Sequence, residues 1–258
     1  MWAAVCNGDP KKVAELMRQD PGFNVNEQDG NECTLLHHAC EADWTSPVIP
    51  ILLAHPDINV NVKNKEGQTP FYYACCGYPS CVREMLKDSR VKVNEPDNDG
   101  HTPLWFAASY GYLDIIRWCI ASGKEMDLGK PGDVDKTDAI EVAKKKGKTE
   151  VVTLLERFKE NPVETRHVVR VEVVWYDVMA AEIFALVVFV SDGLLQIRDT
   201  TITTPAARFF NIARCLPLEL QMVLCYRLAV SPKEIISGKD GEVAFRSLAN
   251  WLVWSSIF

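Results

Sequence analysis

A chain of 258 residues, 47% hydrophobic and 24% charged, can bury a sizeable core, and its length suits two domains better than one. The net charge of −7 argues against a surface built for nucleic-acid phosphates, which needs clustered Lys and Arg. The nine cysteines include no C-x-x-C spacing. They read as buried thiols in a reducing compartment, cytoplasmic or nuclear, rather than as a disulfide framework or zinc site.

The chain opens on Met1-Trp2-Ala3-Ala4, in the middle of a helical pattern, followed by Asn7-Gly8-Asp9. From there the sequence repeats itself. Val60–Phe71 aligns without gaps on Val93–Leu104, and Asn26–Thr34 follows the same frame. With alanine as the marker of each first helix, the positions are Ala4, Ala39, Ala74, Ala107 and Ala143, spaced by 35, 35, 33 and 36 residues. The units fall near 1–26, 27–61, 62–94, 95–127 and 128–160.

Each residue type in the frame has a physical job. Thr34, Thr69 and Thr102 stand where a hydroxyl caps a helix, and Pro70 and Pro103 hold the first helical position, where a missing N–H costs nothing. Gly67 and Gly100 let the preceding hairpin turn take positive φ, and the marker alanines let helices approach closely. Leu113, Ile115, Ile116, Cys119 and Ile120 give a second helix its apolar stripe.

Departures from the frame carry their own expectations. Glu32 fills the slot of Gly67 and Gly100, so the glycine of that turn is expected to move to Gly30 and the hairpin to differ. Pro47 and Pro50 fall early in the second helix of their unit, where they fit a first turn but can tilt it. The fourth hairpin carries extra residues around Gly129–Asp135, after which Asp138 replaces threonine as the cap. The run Lys144, Lys145, Lys146 and Lys148 reads as a solvated helix face, the alternatives being a nuclear-import or anion-binding signal.

The period and the Thr-Pro frame resemble the ankyrin repeat. That resemblance implies an all-α fold: a solenoid of about five repeats over 1–160, each a helix-turn-helix with a short hairpin, with polar caps at its ends. Either Trp2 and its neighbours form the first cap or sequence upstream is lacking. The family's shape places hairpin tips and first helices around one concave groove that binds a protein partner. It implies a monomer and no catalysis, cofactor, metal, nucleic acid or membrane. On the family's variable contact positions, the tips supply Asp29, Gly30, Asn31, Lys65, Glu66, Gln68, Asn98, Asp99 and His101. The first helices supply Cys6, Asn7, Glu41, Ala42, Cys76, Gly77, Ser109 and Tyr110.

Trp44, Tyr72, Trp105 and Tyr110 are the expected hot spots, because aromatics carry a disproportionate share of interface energy. Tyr72 and Trp105 replace the histidine of the family's Thr-Pro-Leu-His motif, so packing against the next repeat stands as an equal alternative. His37 matches that histidine, and a structural hydrogen bond to the neighbouring turn is expected of it rather than chemistry. No phosphate-binding glycine loop, nucleophile elbow or metal-spaced cluster is present. His37 and Cys40 lie one turn apart without a third group to orient them.

Beyond Phe158 the period stops. A polar stretch over Lys159–Arg166 leads into a mainly helical domain over 161–258, with a new helix after Pro162. Arg170–Tyr176 alternates enough for a strand to compete there with helix, and Met179, Ile183, Leu186 and Val190 recur at helical spacing. The run Ile183–Val190 is far short of the ~20 residues that cross a bilayer, so it reads as a core helix. Leu216-Pro217-Leu218-Glu219-Leu220, with Val223, Leu224 and Leu228 and later Ala244–Ala249, resembles an F-box. The resemblance implies that Leu216, Pro217, Leu220 and Leu224 dock on the adaptor of a cullin-type ubiquitin ligase, making the chain a substrate adaptor over 216–249. A plain helical capping domain is the other reading.

Overall fold

The computed structural model describes residues 1–20, 22–128, 138–173, 183–187, 213, 221 and 225. The chain divides into two compact units, the first running from Met1 to Val169 and the second beginning at Arg170. The described residues are helical and contain no strand, with one isolated bridge between Gln28 and Thr34.

Successive helix pairs build the first unit. They are α1 (Trp2–Cys6) with α2 (Pro10–Gln19), and α3 (Leu35–Ala39) with α4 (Ile49–Leu53). Then come α5 (Pro70–Ala74) with α6 (Pro79–Leu86), α7 (Pro103–Tyr110) with α8 (Leu113–Ser122), and α9 (Ala139–Lys145) with α10 (Thr149–Glu160). The odd-numbered helices pack on one another in a row, and the even-numbered helices form a second row behind them. The marker alanines explain the spacing of the first row: Ala39, Ala74, Ala107 and Ala143 are fully buried, and nothing larger than a methyl separates the helices there.

The core lies between the rows. Leu35, Leu36, Ile49, Leu52, Phe71, Met85, Ile115, Ile116, Ile120 and Leu155 are closed from solvent. Each is worth about 1.5–3 kcal/mol of burial, which is how helices of five to twelve residues, marginal in isolation, are held. The expected caps form. Thr69 accepts from Tyr72 N at 3.2 Å, Thr102 from Trp105 N at 3.2 Å and Asp138 from Glu141 N at 2.8 Å. Thr34 completes a reciprocal capping box with His37.

Three local expectations are corrected. The second helix of the second pair starts as a 3₁₀ turn over Asp43–Val48 that contains Pro47, and α4 follows with Pro50 in its first turn. Pro47 lacks the N–H that an α turn would use there, so the helix begins late rather than merely tilting. The strand alternative to helix from Arg170 gives way to helix at its start, because α11 runs over Pro162–Glu172. Up to Val169 that helix belongs to the first unit, with Thr165 Oγ1 donating to Arg157 O at 3.0 Å, Arg166 Nε donating to Ile120 O at 3.2 Å, and Val169 buried. Cys6 was expected among the buried thiols but is exposed; Cys33, Cys40, Cys75, Cys81, Cys119 and Cys225 are buried. Burial pushes the Cys40 and Cys75 thiols well above their ordinary range, and those of Cys76, Cys81 and Cys225 up to about 12.

Residues 183–187 are helical, as their spacing predicts. No helix among the described residues is long and apolar enough to cross a membrane. Leu216, Pro217, Leu220 and Leu224 lie outside the described residues, as do the extra residues of the fourth hairpin.

Candidate functional site

Three hairpin tips share one hydrogen-bond plan. At the base of each, a short polar side chain folds back on the turn: Asp29 Oδ1 accepts from Asn31 N and Cys33 N at 2.8 and 2.9 Å. Asn64 Oδ1 accepts from Glu66 N and Gln68 N, and Asp97 Oδ1 from Asp99 N and His101 N, at 2.9–3.0 Å. Asx side chains favour such turns because they mimic a backbone carbonyl. The residue three places on then takes positive φ: 77° at Gly67, 83° at Gly100 and 62° at Glu32. The expectation that Gly30 would take over the turn is therefore wrong. Gly30 has no positive φ, and Glu32 itself adopts the left-handed conformation so that its hairpin matches the others.

The tips are also stitched to one another. Lys65 N donates to Asn31 O at 3.1 Å and Asn98 N to Glu66 O at 2.9 Å. Lys65 Nζ reaches Gly30 O at 2.6 Å and Asn98 Nδ2 reaches Lys65 O at 2.8 Å. A second row of staples runs nearby through Asn26, Asn61 and Asn94. Asn61, for example, donates to Arg90 O at 3.0 Å and accepts from Lys92 N at 2.9 Å, and its two counterparts do the same one repeat away. These asparagines were visible in the repeat frame, and their spacing of 35 and 33 residues was the signal that they link neighbouring units.

The histidine slot of the first helices performs the same linking. His37 is fully buried; its Nδ1 accepts from Thr34 N at 2.9 Å, so its Nε2 carries the proton given to Gln68 O at 3.1 Å. Burial lowers its pKa to about 4, which keeps the ring neutral. His37 is thus the structural bridge expected of it. Tyr72, in the same slot one unit later, is 1% exposed and donates its hydroxyl to Asp97 Oδ2 at 2.8 Å. Burial and the Asp97 carboxylate push its phenol far up. Tyr72 is a bridge between repeats rather than the exposed hot spot, because a phenol is long enough to reach the next hairpin where the imidazole reaches a carbonyl. Trp105, the third member, stacks on His101 with ring centroids 3.8 Å apart.

Of the expected contact residues, the structure leaves Gly30, Asn31, Glu41, Trp44, Lys65, Glu66, Asn98, Asp99 and Tyr110 exposed. Trp44 and Tyr110 stand out at 69% and 57% exposure. Asp29, Gln68, His101 and Trp105 are half-buried, whereas Ser109 and Ala42 are buried, Ser109 bonding its own helix at Phe106 O. Glu41 and Asp29 flank His38, whose two ring nitrogens lie 3.0 and 2.9 Å from their oxygens. Burial tends to raise the Asp29 carboxyl, but hydrogen bonds from His38, Cys33 and Asn31 outweigh it and hold the acid below its usual value.

Tyr110 belongs to a groove of ≈ 790 Å³ along α7 and α9. Phe106 and Tyr110 give it an aromatic floor, their rings stacked at 4.6 Å, and Tyr112 outside the lining stacks on Tyr110 at 5.8 Å. Trp105 and His101 close one side beside Asp97 and Asp99, and Val142, Lys145, Lys146 and Lys148 form the other. Asp97, Asp99 and His101 bring ligand atoms within 4.8 Å of one another. Two backbone N–H groups and the Tyr72 hydroxyl already engage Asp97, so the arrangement reads as turn chemistry. Lys144, Lys145 and Lys146 are solvated as expected, but Lys145, Lys146 and Lys148 line this groove. The signal was present in the repeat: Lys145 and Lys146 stand two and three residues after Ala143, as Ser109 and Tyr110 stand after Ala107.

A family model described as ankyrin repeats (3 copies) matches residues 1–97 and 80–164. An ankyrin repeat protein of Rickettsia bellii is 30% identical over 97 residues, covering 38% of this chain and 54% of its own length. The human SMC5-SMC6 complex localization factor protein 1 is 36% identical over 91 residues, which are 35% of this chain and 8% of that protein. Human Rabankyrin-5 is 31% identical over 101 residues, 39% of this chain and 9% of its own. The chain thus spans about half of the bacterial relative and under a tenth of the two human ones.

Proposed function

The chain belongs to the ankyrin-repeat family, whose repeats serve protein–protein interaction, and on that premise we propose that it holds a protein partner in the concave groove over α7 and α9. The observation that carries this reading is Tyr110, 57% exposed on a stacked aromatic floor in a groove lined by charged side chains. A large ring kept in water gains most from being covered. Trp44 offers a second exposed ring at the unit that contains the 3₁₀ turn. The proposal extends to a monomer with repeats near 1–26, 27–61, 62–94, 95–127 and 128–160 and a separate domain beyond. The buried, protonated thiols suit the cytoplasm or nucleus.

The test is capture from cell extract with the intact chain, with Tyr110→Arg, and with Arg18→Glu on the second row of helices. The groove reading expects proteins held by the intact chain and by Arg18→Glu to be absent with Tyr110→Arg. Capture that survives Tyr110→Arg would place the contact elsewhere.

A ligase-adaptor role through Leu216, Pro217, Leu220 and Leu224 is a second proposal, supported by the Leu-Pro-Leu-Glu-Leu opening of that segment. Capture with Leu216→Asp/Leu220→Asp, after circular dichroism shows an unchanged spectrum, tests it. A cullin-ligase adaptor bound by the intact chain and lost from the variant supports the role, and its absence from both removes it.

A further inference from the structure

Resting on the groove reading, we propose that the α7–α9 groove selects an acidic protein segment, one that lays an apolar or aromatic side chain on Tyr110 and turns carboxylates toward Lys145, Lys146 and Lys148. The charges around the groove decide the sign. Lys144 is held by Glu156 at 2.6 Å. Among the described residues Lys145, Lys146 and Lys148 form no ion pair, and all three line the groove. Lys145 and Lys146 are exposed, while the stem of Lys148 lies against Gly111, where an added Cβ would come within 2.8 Å of its Cδ. That contact packs the apolar stem against the end of α7.

The carboxylates opposite are less available than their number suggests. Asp97 gives one oxygen to the Tyr72 hydroxyl and the other to the N–H groups of Asp99 and His101. Asp99 alone is exposed on that wall. Among the described residues that line the groove, three ammonium groups without an ion pair thus accompany one such carboxylate, in a chain whose net charge is −7. The lysine wall is a local reversal of the molecule's field, able to hold an acidic ligand at short range and to fix its register.

The chemistry also separates ligands. A nucleic-acid strand needs cations repeated along a track, and here they meet Asp97 and Asp99 on the facing wall. Lysines without an arginine fork make point contacts suited to scattered carboxylates rather than bidentate clamps.

The experiment selects short random peptides displayed on phage against the full chain and then measures the affinity of the enriched sequences. They are compared on the intact chain, on Lys145→Glu/Lys146→Glu, on Tyr110→Arg and on Lys11→Glu as a control away from the groove. The proposal expects enriched peptides rich in Asp and Glu around an aromatic or apolar residue. Their Kd should rise about tenfold or more on Lys145→Glu/Lys146→Glu, about 1.4 kcal/mol or more, and stay unchanged on Lys11→Glu. Neutral or basic peptides blocked by Tyr110→Arg but indifferent to the lysine reversal would overturn the acidic assignment and leave the groove reading standing. Peptides indifferent to both, or no enrichment over the bare support, would overturn both.

Discussion

The hairpin row and the α7–α9 groove are built from the same repeat frame, yet they spend their polar groups in opposite ways. Along the hairpins the side chains that close the turns and join the units are used inside the protein. Asp29, Asn64 and Asp97 close their own turns, Asn26, Asn61 and Asn94 staple one unit to the next, and His37 and Tyr72 reach the following hairpin. In the groove, Tyr110, Lys145 and Lys146 are exposed and make no such links among the described residues. A solenoid whose units touch only their neighbours must invest in those joints. What is left over, on the first-helix face, is free to meet a partner.

Substitutions sharpen this contrast. The largest effect is expected at Gly67, where positive φ and a Cβ that would come within 2.8 Å of Asn98 N combine. Gly67→Ala should cost about 3 kcal/mol in urea unfolding; a loss under about 1 kcal/mol would show that the joint between the second and third tips yields easily. Next comes acid. His37 is neutral when folded, with a pKa lowered to about 4 from 6.5. Stability is therefore complete above the unfolded value and falls as pH drops from 6.5 toward 4, by about 3 kcal/mol at most. Burial also holds His55 low, adding in the same direction. Urea unfolding across that range should show the slope, reduced in His37→Asn, and a flat profile would break the account.

Tyr72→Phe follows, removing the hydroxyl from Asp97 at a cost of about 1–2 kcal/mol. No change would return Tyr72 to the role of filler. The smallest effect has the opposite sign. Glu32 holds φ at 62°, so Glu32→Gly should stabilise by about 0.5–1 kcal/mol, the strain relieved less the entropy glycine adds to the unfolded chain. Destabilisation there would mean that the Glu32 side chain is itself part of the joint.

The local parts of the fold were legible. Thr34, Thr69 and Thr102 predict helix starts, and the marker alanines predict the stacked first row, because capping and small-residue packing act over a few residues. Glu32 was misread for a physical reason. Glycine is the cheapest residue at positive φ, but Asp29 and the neighbouring tip together impose the turn, and a glutamate can be carried into it. Tyr72 stayed open between hot spot and packing because its partner, Asp97, comes from the next repeat. The groove-facing lysines lay within reach, since the offset from Ala143 repeats that from Ala107; a run of like charges read alone as solvent-facing hid the register.

The division of labour itself is tested by measuring one variant twice. Tyr110→Ala/Lys145→Ala/Lys146→Ala is compared with the intact chain by urea unfolding and by binding of the proteins or selected peptides that the intact chain holds. The account predicts stability within about 0.5 kcal/mol per substitution and binding lost. A clear loss of stability with binding retained would contradict it, placing these residues among the joints and the partner on another face.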